Sequence, residues 1–343
     1  MADAEESTSD DPVEEEEDEK ALSDSADTVV RTCMQIRPHE NILVITDPHS
    51  ADIGQALYEA ASRVADRVLL VMMPSTHRHG KEPPGPVANL MSRQDVVMVS
   101  TRHSITHTRA TRIATGEGAR IATLPGITME LFTRGGMTAD FDALQKSITV
   151  MAKHLKRKRT VKVTSENGTD VEFEISGRWV FEDNGICNRP KQITNLPAGK
   201  VFGLPKEGEM NGRIVIDGSF DAEVLEQPIE LTVEKGRITK VKGGEAADRL
   251  KATVAEASAE LRSREREMIW TVAEFGFGMN PKARLIGNVL EDEKVLGTCY
   301  FGIGDNIALG GTAKVSFHVT GVIAVPEVHI DGDLLLSDGM LRA

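Results

Sequence analysis

Four short apolar runs constrain this chain more than anything else in it. They are NILVITD (41–47), RVLLVMMP (67–74), VVMVST (96–101) and RIATLPG (120–126). Continuous apolar runs of this length suit strands covered on both faces, as in a parallel sheet. Between the first two lies ADIGQALYEAASRVAD (51–66), a helical pattern, and between the last two a polar, helix-compatible piece, 104–116. Strands alternating with helices build βαβ units, so this part is expected to be an α/β domain, a parallel sheet with flanking helices. No GxGxxG follows the first run, so the phosphate turn of a dinucleotide site is missing. The segment reads as a scaffold and not as a cofactor domain.

The rhythm then changes. ADFDALQKSITVMAKHLKRKR (139–159) is a helix pattern with Phe141, Leu144, Ile148, Met151 and Leu155 on one face. From Thr160 apolar and polar residues alternate, and Asn167-Gly168 marks a hairpin within TVKVTSENGTDVEFEISG (160–177). RIVIDGSF (213–220) and IELTVEKGRITKV (229–241) continue as strands. The longest helix is expected over 248–276, with Gly276 as its C-terminal cap. The expected organisation is a scaffold domain over 28–158 and an α+β domain over 159–343.

Charge decides little about partners. Thirteen of the 53 acidic residues and one of the 40 basic residues lie in 1–27, which leaves the remainder nearly neutral despite a formal net charge of −13. Residues 1–27 are expected to be a disordered acidic tail. A neutral body gives no surface for nucleic acid or an anionic membrane, and neither is expected as a partner. Basic residues in KHLKRKR complement a helix C-terminus. Cys33, Cys187 and Cys299 are three and widely spaced, without a CxxC knuckle. No window is apolar enough for a membrane span, and the N-terminus does not read as a signal peptide. A cytoplasmic protein is expected.

The residues that suggest chemistry cluster late, in the glycine-rich segment 272–332. Glu274, Glu293, His318, His329 and Asp331 are oxygen and nitrogen side chains suited to a divalent metal. Each has a plainer account. Glu274 falls near the end of a helix pattern, where a solvated Glu is ordinary. Glu293 belongs to EDEK, a charged turn, and is a stronger candidate than Asp292. His318 lies on the polar face of KVSFHVTGV. His329 and Asp331, two apart on a strand, point to the same side, but VHIDGDLLL is also a hairpin whose Asp331-Gly332 turn needs no metal. Gly302, Gly304, Gly310 and Gly311 read as tight turns, and Cys299 as an inert residue in a strand. Nucleophile elbow, P-loop and HExxH patterns are absent from the sequence.

The order of ITNLPAGKVFGLPKEGEMNGRIVIDGSF, VAEFGFGMNP, NVLEDEKVLGT, GIGDN…LGG, His318 and HIDG resembles the aminopeptidase T family of metallopeptidases. Its wider superfamily includes 2,5-dihydroxypyridine 5,6-dioxygenase, a ring-cleaving iron enzyme. The resemblance implies an α/β N-terminal domain, an α+β C-terminal domain, a homodimer, and a metal held by two Glu, two His and an Asp. Glu274, Glu293 and His318 match motif positions, and His329 and Asp331 can fill a later His-x-Asp pair. Three positions depart from the pattern: Lys200 where Glu is usual, Tyr300 where His is common, and Thr320 where Asp often stands.

Three functions follow from this. The first is a metal-dependent hydrolase, most simply an aminopeptidase acting on peptides. Zn, Co or Mn would polarise the scissile carbonyl, and Glu293 or Glu274 would move the proton. The second is an Fe(II)-dependent ring-cleaving dioxygenase of small molecules, with His318, His329 and one of Asp331 or Glu293 as ligands. The third is a non-catalytic binding protein, favoured by Lys200, Tyr300 and Thr320.

Overall fold

The computed structural model describes residues 12–176, 181–259, 261–315 and 317–342. The chain divides into two compact units, Met1–Thr138 with Ile186–Thr194, and Ala139–Gly185 with Asn195–Ala343.

The first unit is the expected α/β scaffold. Its four apolar runs form β1 (Ile42–Thr46), β2 (Val68–Met72), β3 (Val96–Thr101) and β4 (Arg120–Pro125). β1 pairs in parallel with β2 and β3, and β3 in parallel with β4. The strand order is β2-β1-β3-β4-β8, where β8 (Ile193–Asn195) comes from later in the chain. Leu43, Ile45, Val97, Val99 and Ile121 form the core, with Met91, Ala110 and Ala114 from the crossover helices. Burial on both faces is why β1, β3 and β4 carry continuous rather than alternating apolar residues, whereas β2, at the sheet edge, is apolar but partly exposed at Leu69 and Met72.

The acidic N-terminal segment departs from expectation. Pro12–Asp27 is helix α1, continued by a turn over Thr28–Cys33. It lies against helices α2 (Ala51–Ser62) and α5 (Met129–Arg134). Ala26, Val29, Val30 and Cys33 are fully buried. Asp18 pairs with Arg134 at 2.7 Å and Asp27 with Arg63 at 3.1 Å. The charge count concealed a helical stripe, because Leu22, Ala26, Val29, Val30 and Cys33 recur at i, i+4, i+7, i+8 and i+11. The disorder expected of residues 1–11 falls outside the described residues. A chain beginning at Thr28 is expected to lose about 2 kcal/mol relative to one beginning at Pro12, by exposing the partners of Leu22 and Ala26. Coincident thermal melts of the two chains would show that α1 contributes nothing.

The second unit is the α+β part, built on two antiparallel sheets. It opens with α6 (Phe141–Leu155), capped by Asp140, whose carboxylate accepts from Ala143 N at 2.9 Å. Phe141, Leu144, Ile148, Met151 and Leu155 are buried, as their spacing predicts. The helix packs on β7 (Phe181–Asp183) and β9 (Lys200–Gly203), so it goes with the strands that follow it and not with the scaffold before it. The unit boundary therefore lies near residue 138 instead of 158.

One sheet has the order β14-β13-β10-β6-β5-β18-β19-β20. Its strands are β5 (Thr160–Thr164), β6 (Asp170–Glu174), β10 (Asn211–Ile216), β13 (Ile229–Glu234), β14 (Arg237–Lys242), β18 (Glu327–Ile330), β19 (Asp333–Ser337) and β20 (Met340–Leu341). The expected hairpin at Asn167-Gly168 joins β5 and β6, and Gly168 takes the positive φ of +100° that such a turn demands.

The other sheet has the order β12-β11-β17-β16-β15-β9-β7. It contains β11 (Ser219–Phe220), β12 (Glu223–Val224), β15 (Val272–Gly278), β16 (Cys299–Gly304) and β17 (His318–Ile323). Phe173 of β6 meets Phe275 of β15 and Phe301 of β16 edge-on, at 5.2 and 6.0 Å between ring centres, and so joins the two sheets. The helix expected over 248–276 is shorter. It is α7 (Glu245–Ala259), and β15 is a buried strand throughout. Gly276 is not a helix cap. A Cβ there would stand 2.5 Å from the Tyr300 hydroxyl, so the glycine admits a ring from the neighbouring strand.

Candidate functional site

Four neighbouring strands, β9, β15, β16 and β17, bring distant residues to one place. Their register sets Lys200 opposite Gly278, Tyr300 opposite Gly276, Glu274 opposite Gly302, Gly302 opposite Thr320 and Gly304 opposite His318. The glycines make the room. A Cβ on Gly302 would meet the His318 ring at 2.8 Å and Glu274 Cβ at 3.0 Å. Glu293 arrives from outside the sheet, at the end of the short helix Val289–Asp292 that Asn288 caps by accepting from Leu290 N at 3.0 Å.

Lys200 is the hub of this cluster. Its Nζ lies 3.2 Å from Glu274 Oε1 and 2.6 Å from Glu293 Oε2. Lys294 Nζ adds a second ammonium 3.2 Å from the same Glu293 oxygen. The Tyr300 hydroxyl donates to Glu274 Oε1. Lys200 Nζ also stands 4.6 Å from the centre of the Phe202 ring and 4.7 Å from that of Tyr300, within cation–π range. The side chains of Lys200, Glu274, Glu293 and Lys294 are 12%, 10%, 8% and 4% exposed, so their charges are settled by one another and not by water. Asp183 faces Lys200 across the β7–β9 pair and completes the group.

Each protonation state has an identifiable cause. Burial opposes the charge of Glu293, but Lys200 and Lys294 outweigh it and hold the carboxyl far below its ordinary range. Burial would strip the proton from Lys200, yet Glu274, Glu293 and Asp183 hold it more firmly than usual. Burial and then the neighbouring Glu274 push the Tyr300 hydroxyl well above its usual range, so it stays a donor. Asp183 is pushed up to about 6, chiefly by burial and against the pull of Lys294 and Lys200.

The structure gathers some of the expected residues and disperses others. Glu274 and Glu293 share the cluster. His318 stands at the start of β17, exposed, with its ring beside Gly302 and Nδ1 3.1 Å from the Asp305 carbonyl. His329 and Asp331 belong to the other sheet. His329 lies on β18, 3.6 Å from Glu327, and lines a cleft of about 450 Å³ with Thr160, Lys162 and Glu172. Asp331 sits in the turn after β18 with φ +50°, and its Oδ1 accepts from Arg159 N at 2.9 Å and Thr160 N at 2.8 Å. The plainer account of that pair, a hairpin turn, is the one the structure shows. Cys299 is buried in β16, where burial raises its thiol well above the usual range.

Lys200, Tyr300 and Thr320 are drawn into the cluster with Glu274 and Glu293. Their signal was present in the sequence as departures from a family pattern, but their mutual proximity was not. Asp183 and Lys294 left no signal of their own.

The chain has an α/β unit and a unit of two antiparallel sheets, and four adjacent strands of one of those sheets carry the charged groups. A family model, NicX: 2,5-dihydroxypyridine 5,6-dioxygenase, matches residues 22–343, and the chain belongs to that family. Among solved structures it resembles 2,5-dihydroxypyridine dioxygenase from Pseudomonas putida KT2440, at 19% identity and a TM-score of 0.79, over 94% of this chain and 97% of that one. It also resembles AmpT from Thermus thermophilus, at 14% identity and a TM-score of 0.67, over 95% of this chain and 100% of that one. At such identities the likeness establishes the fold. A search of curated proteins by sequence finds no match. No helix among the described residues is long and apolar enough to cross a membrane.

The family resemblance implies a divalent metal. The donor set of this cluster does not fit a divalent metal. Carboxylate ligands approach such ions at about 2.0–2.2 Å and bring lone pairs, whereas an ammonium has N–H donors only. Here an ammonium is hydrogen-bonded to both carboxylates that would be ligands. Among the described residues, no three His, Cys, Asp or Glu side chains come together as metal ligands would.

Proposed function

We propose that this protein binds a small hydroxylated ring molecule of the kind for which its family is named, and that it is not a peptidase. The family model over 22–343 supports the choice of ligand class. One observation carries the exclusion of peptide hydrolysis: Lys200 Nζ is within 3.2 Å of Glu274 and 2.6 Å of Glu293. A carboxylate that is to take a proton from water must be free to do so. Glu293, held far below its ordinary range by two ammonium groups, is a weak base. The cluster instead offers fixed donors. Lys200 presents a permanent positive charge to an anionic ring oxygen, with Phe202 and Tyr300 as aromatic flanks.

Calorimetric titration with 2,5-dihydroxypyridine and related hydroxypyridines tests this, beside a panel of N-terminal peptide amides. The ring compounds are expected to bind and the peptides to remain uncleaved. Hydrolysis of a peptide amide that disappears in Glu274→Gln would overturn the proposal in favour of the hydrolase.

A further inference from the structure

We propose that the Lys200 ammonium has taken the place of the family's divalent metal, through linked replacements at positions 200, 300 and 320. The family resemblance implies a ligand set of two Glu, two His and an Asp. The usual residues at 200, 300 and 320 are Glu, His and Asp, and this chain supplies Glu274 and His318. Those five positions also compose such a set, in place of the one read from Glu274, Glu293, His318, His329 and Asp331. The strand register carries all five to one place on β9, β15, β16 and β17, whereas His329 and Asp331 lie in the other sheet. Three of those five positions therefore carry other residues in this chain, and Glu274 and His318 keep a ligand type.

The replacements compensate one another chemically. Glu274, without a metal, would be a buried anion 10% exposed, and a lone buried charge is costly. Lys200 reaches it and Glu293 at once. Tyr300, where a histidine would donate a lone pair, instead donates its hydroxyl to Glu274. Thr320, where an aspartate would add a further negative charge, is a buried neutral residue 2% exposed. Lys200 and Lys294 set two positive charges against Glu274 and Glu293, the same charge a divalent ion brings. The first substitution alone would leave a ligand set that neither holds a metal nor balances its charge.

The inference deepens the reading of this site as a place for a small ring molecule, and its test uses no ring ligand, so either can fail without the other. Mn²⁺ is titrated by calorimetry into the full-length chain and into the variant Lys200→Glu/Tyr300→His/Thr320→Asp. The unaltered chain is expected to bind no equivalent of Mn²⁺ and to melt identically with and without a chelator. The triple variant is expected to bind one equivalent at least about 100-fold more tightly and to melt higher when Mn²⁺ is present. If the triple variant does not fold, Lys200→Ala serves, because it opens the space between Glu274 and Glu293. Mn²⁺ should raise its melting temperature while leaving that of the unaltered chain alone. A folded triple variant with no gain in affinity overturns the proposal, as does a Lys200→Ala chain indifferent to Mn²⁺. Stoichiometric binding by the unaltered chain that is lost in Glu274→Gln overturns it equally.

Discussion

Lys200→Met is expected to cost about 3–5 kcal/mol of stability at neutral pH, the range for removing one partner of a buried ion pair. The methionine keeps most of the volume and the apolar contacts with Phe202 and Tyr300, so the loss reports the charge. Glu274 would retain the Tyr300 hydroxyl and Glu293 would retain Lys294. Both would lose the cation that joins them. The pH dependence has a definite sign. Glu293 has a depressed folded pKa, so its contribution is present above its unfolded value of about 4.3 and is lost as pH falls below it. The gap between the unaltered chain and Lys200→Met should therefore narrow as pH is lowered toward 4 and below. Urea denaturation at several pH values measures both. A cost under about 1 kcal/mol would mean that the ammonium is solvated like a surface group.

Arg120→Met should be comparably severe, in the other unit. Arg120 holds Glu40 through two parallel bonds of 2.7 Å each and donates to the Met34 carbonyl at 3.1 Å. The two side chains are 5% and 8% exposed. Bidentate pairing of this kind is strong because both bonds share one rigid geometry. Removing the guanidinium strands the Glu40 carboxylate inside the scaffold at about 3–5 kcal/mol. Burial raises the Glu40 pKa, and its bonds to Arg120 and the Arg37 N–H more than reverse that. The double variant Glu40→Met/Arg120→Met should recover much of the loss, since two apolar side chains leave no charge unpaired. Denaturation midpoints of the single and double variants decide it. Equal losses in both would assign the effect to packing around residue 120 rather than to the pair.

What could be read in the sequence followed from burial and spacing. Scaffold strands β1, β3 and β4 were legible because a strand covered on both faces must be apolar throughout, the edge strand β2 by its apolar run alone, and Asn167-Gly168 because few other dipeptides accept that turn. Strand β15 was misread as the end of a helix. VAEFGFG carries Gly276 for clearance from Tyr300 across the sheet and Gly278 for clearance from the Val295 carbonyl, and no local pattern discloses either need. The helix over Pro12–Asp27 was hidden by its own charge. His329 and Asp331 looked like a ligand pair because residues two apart on any strand point the same way, which a hairpin satisfies without a metal. The cluster itself depended on the pairing of β9 with β15, between residues 72 to 78 positions apart, information that spacing does not contain. Lys200, Tyr300 and Thr320 were visible as three separate departures, and only the register of β9, β15, β16 and β17 makes them one change.

The central claim is that two tethered ammonium groups, those of Lys200 and Lys294, and not a metal ion, neutralise Glu274 and Glu293. Elemental analysis of the full-length chain, purified anaerobically without chelators, tests that claim most directly. Iron, zinc, manganese and cobalt are each predicted far below one equivalent per chain. A full equivalent of any of them, removed together with ligand binding by Glu274→Gln, would contradict it.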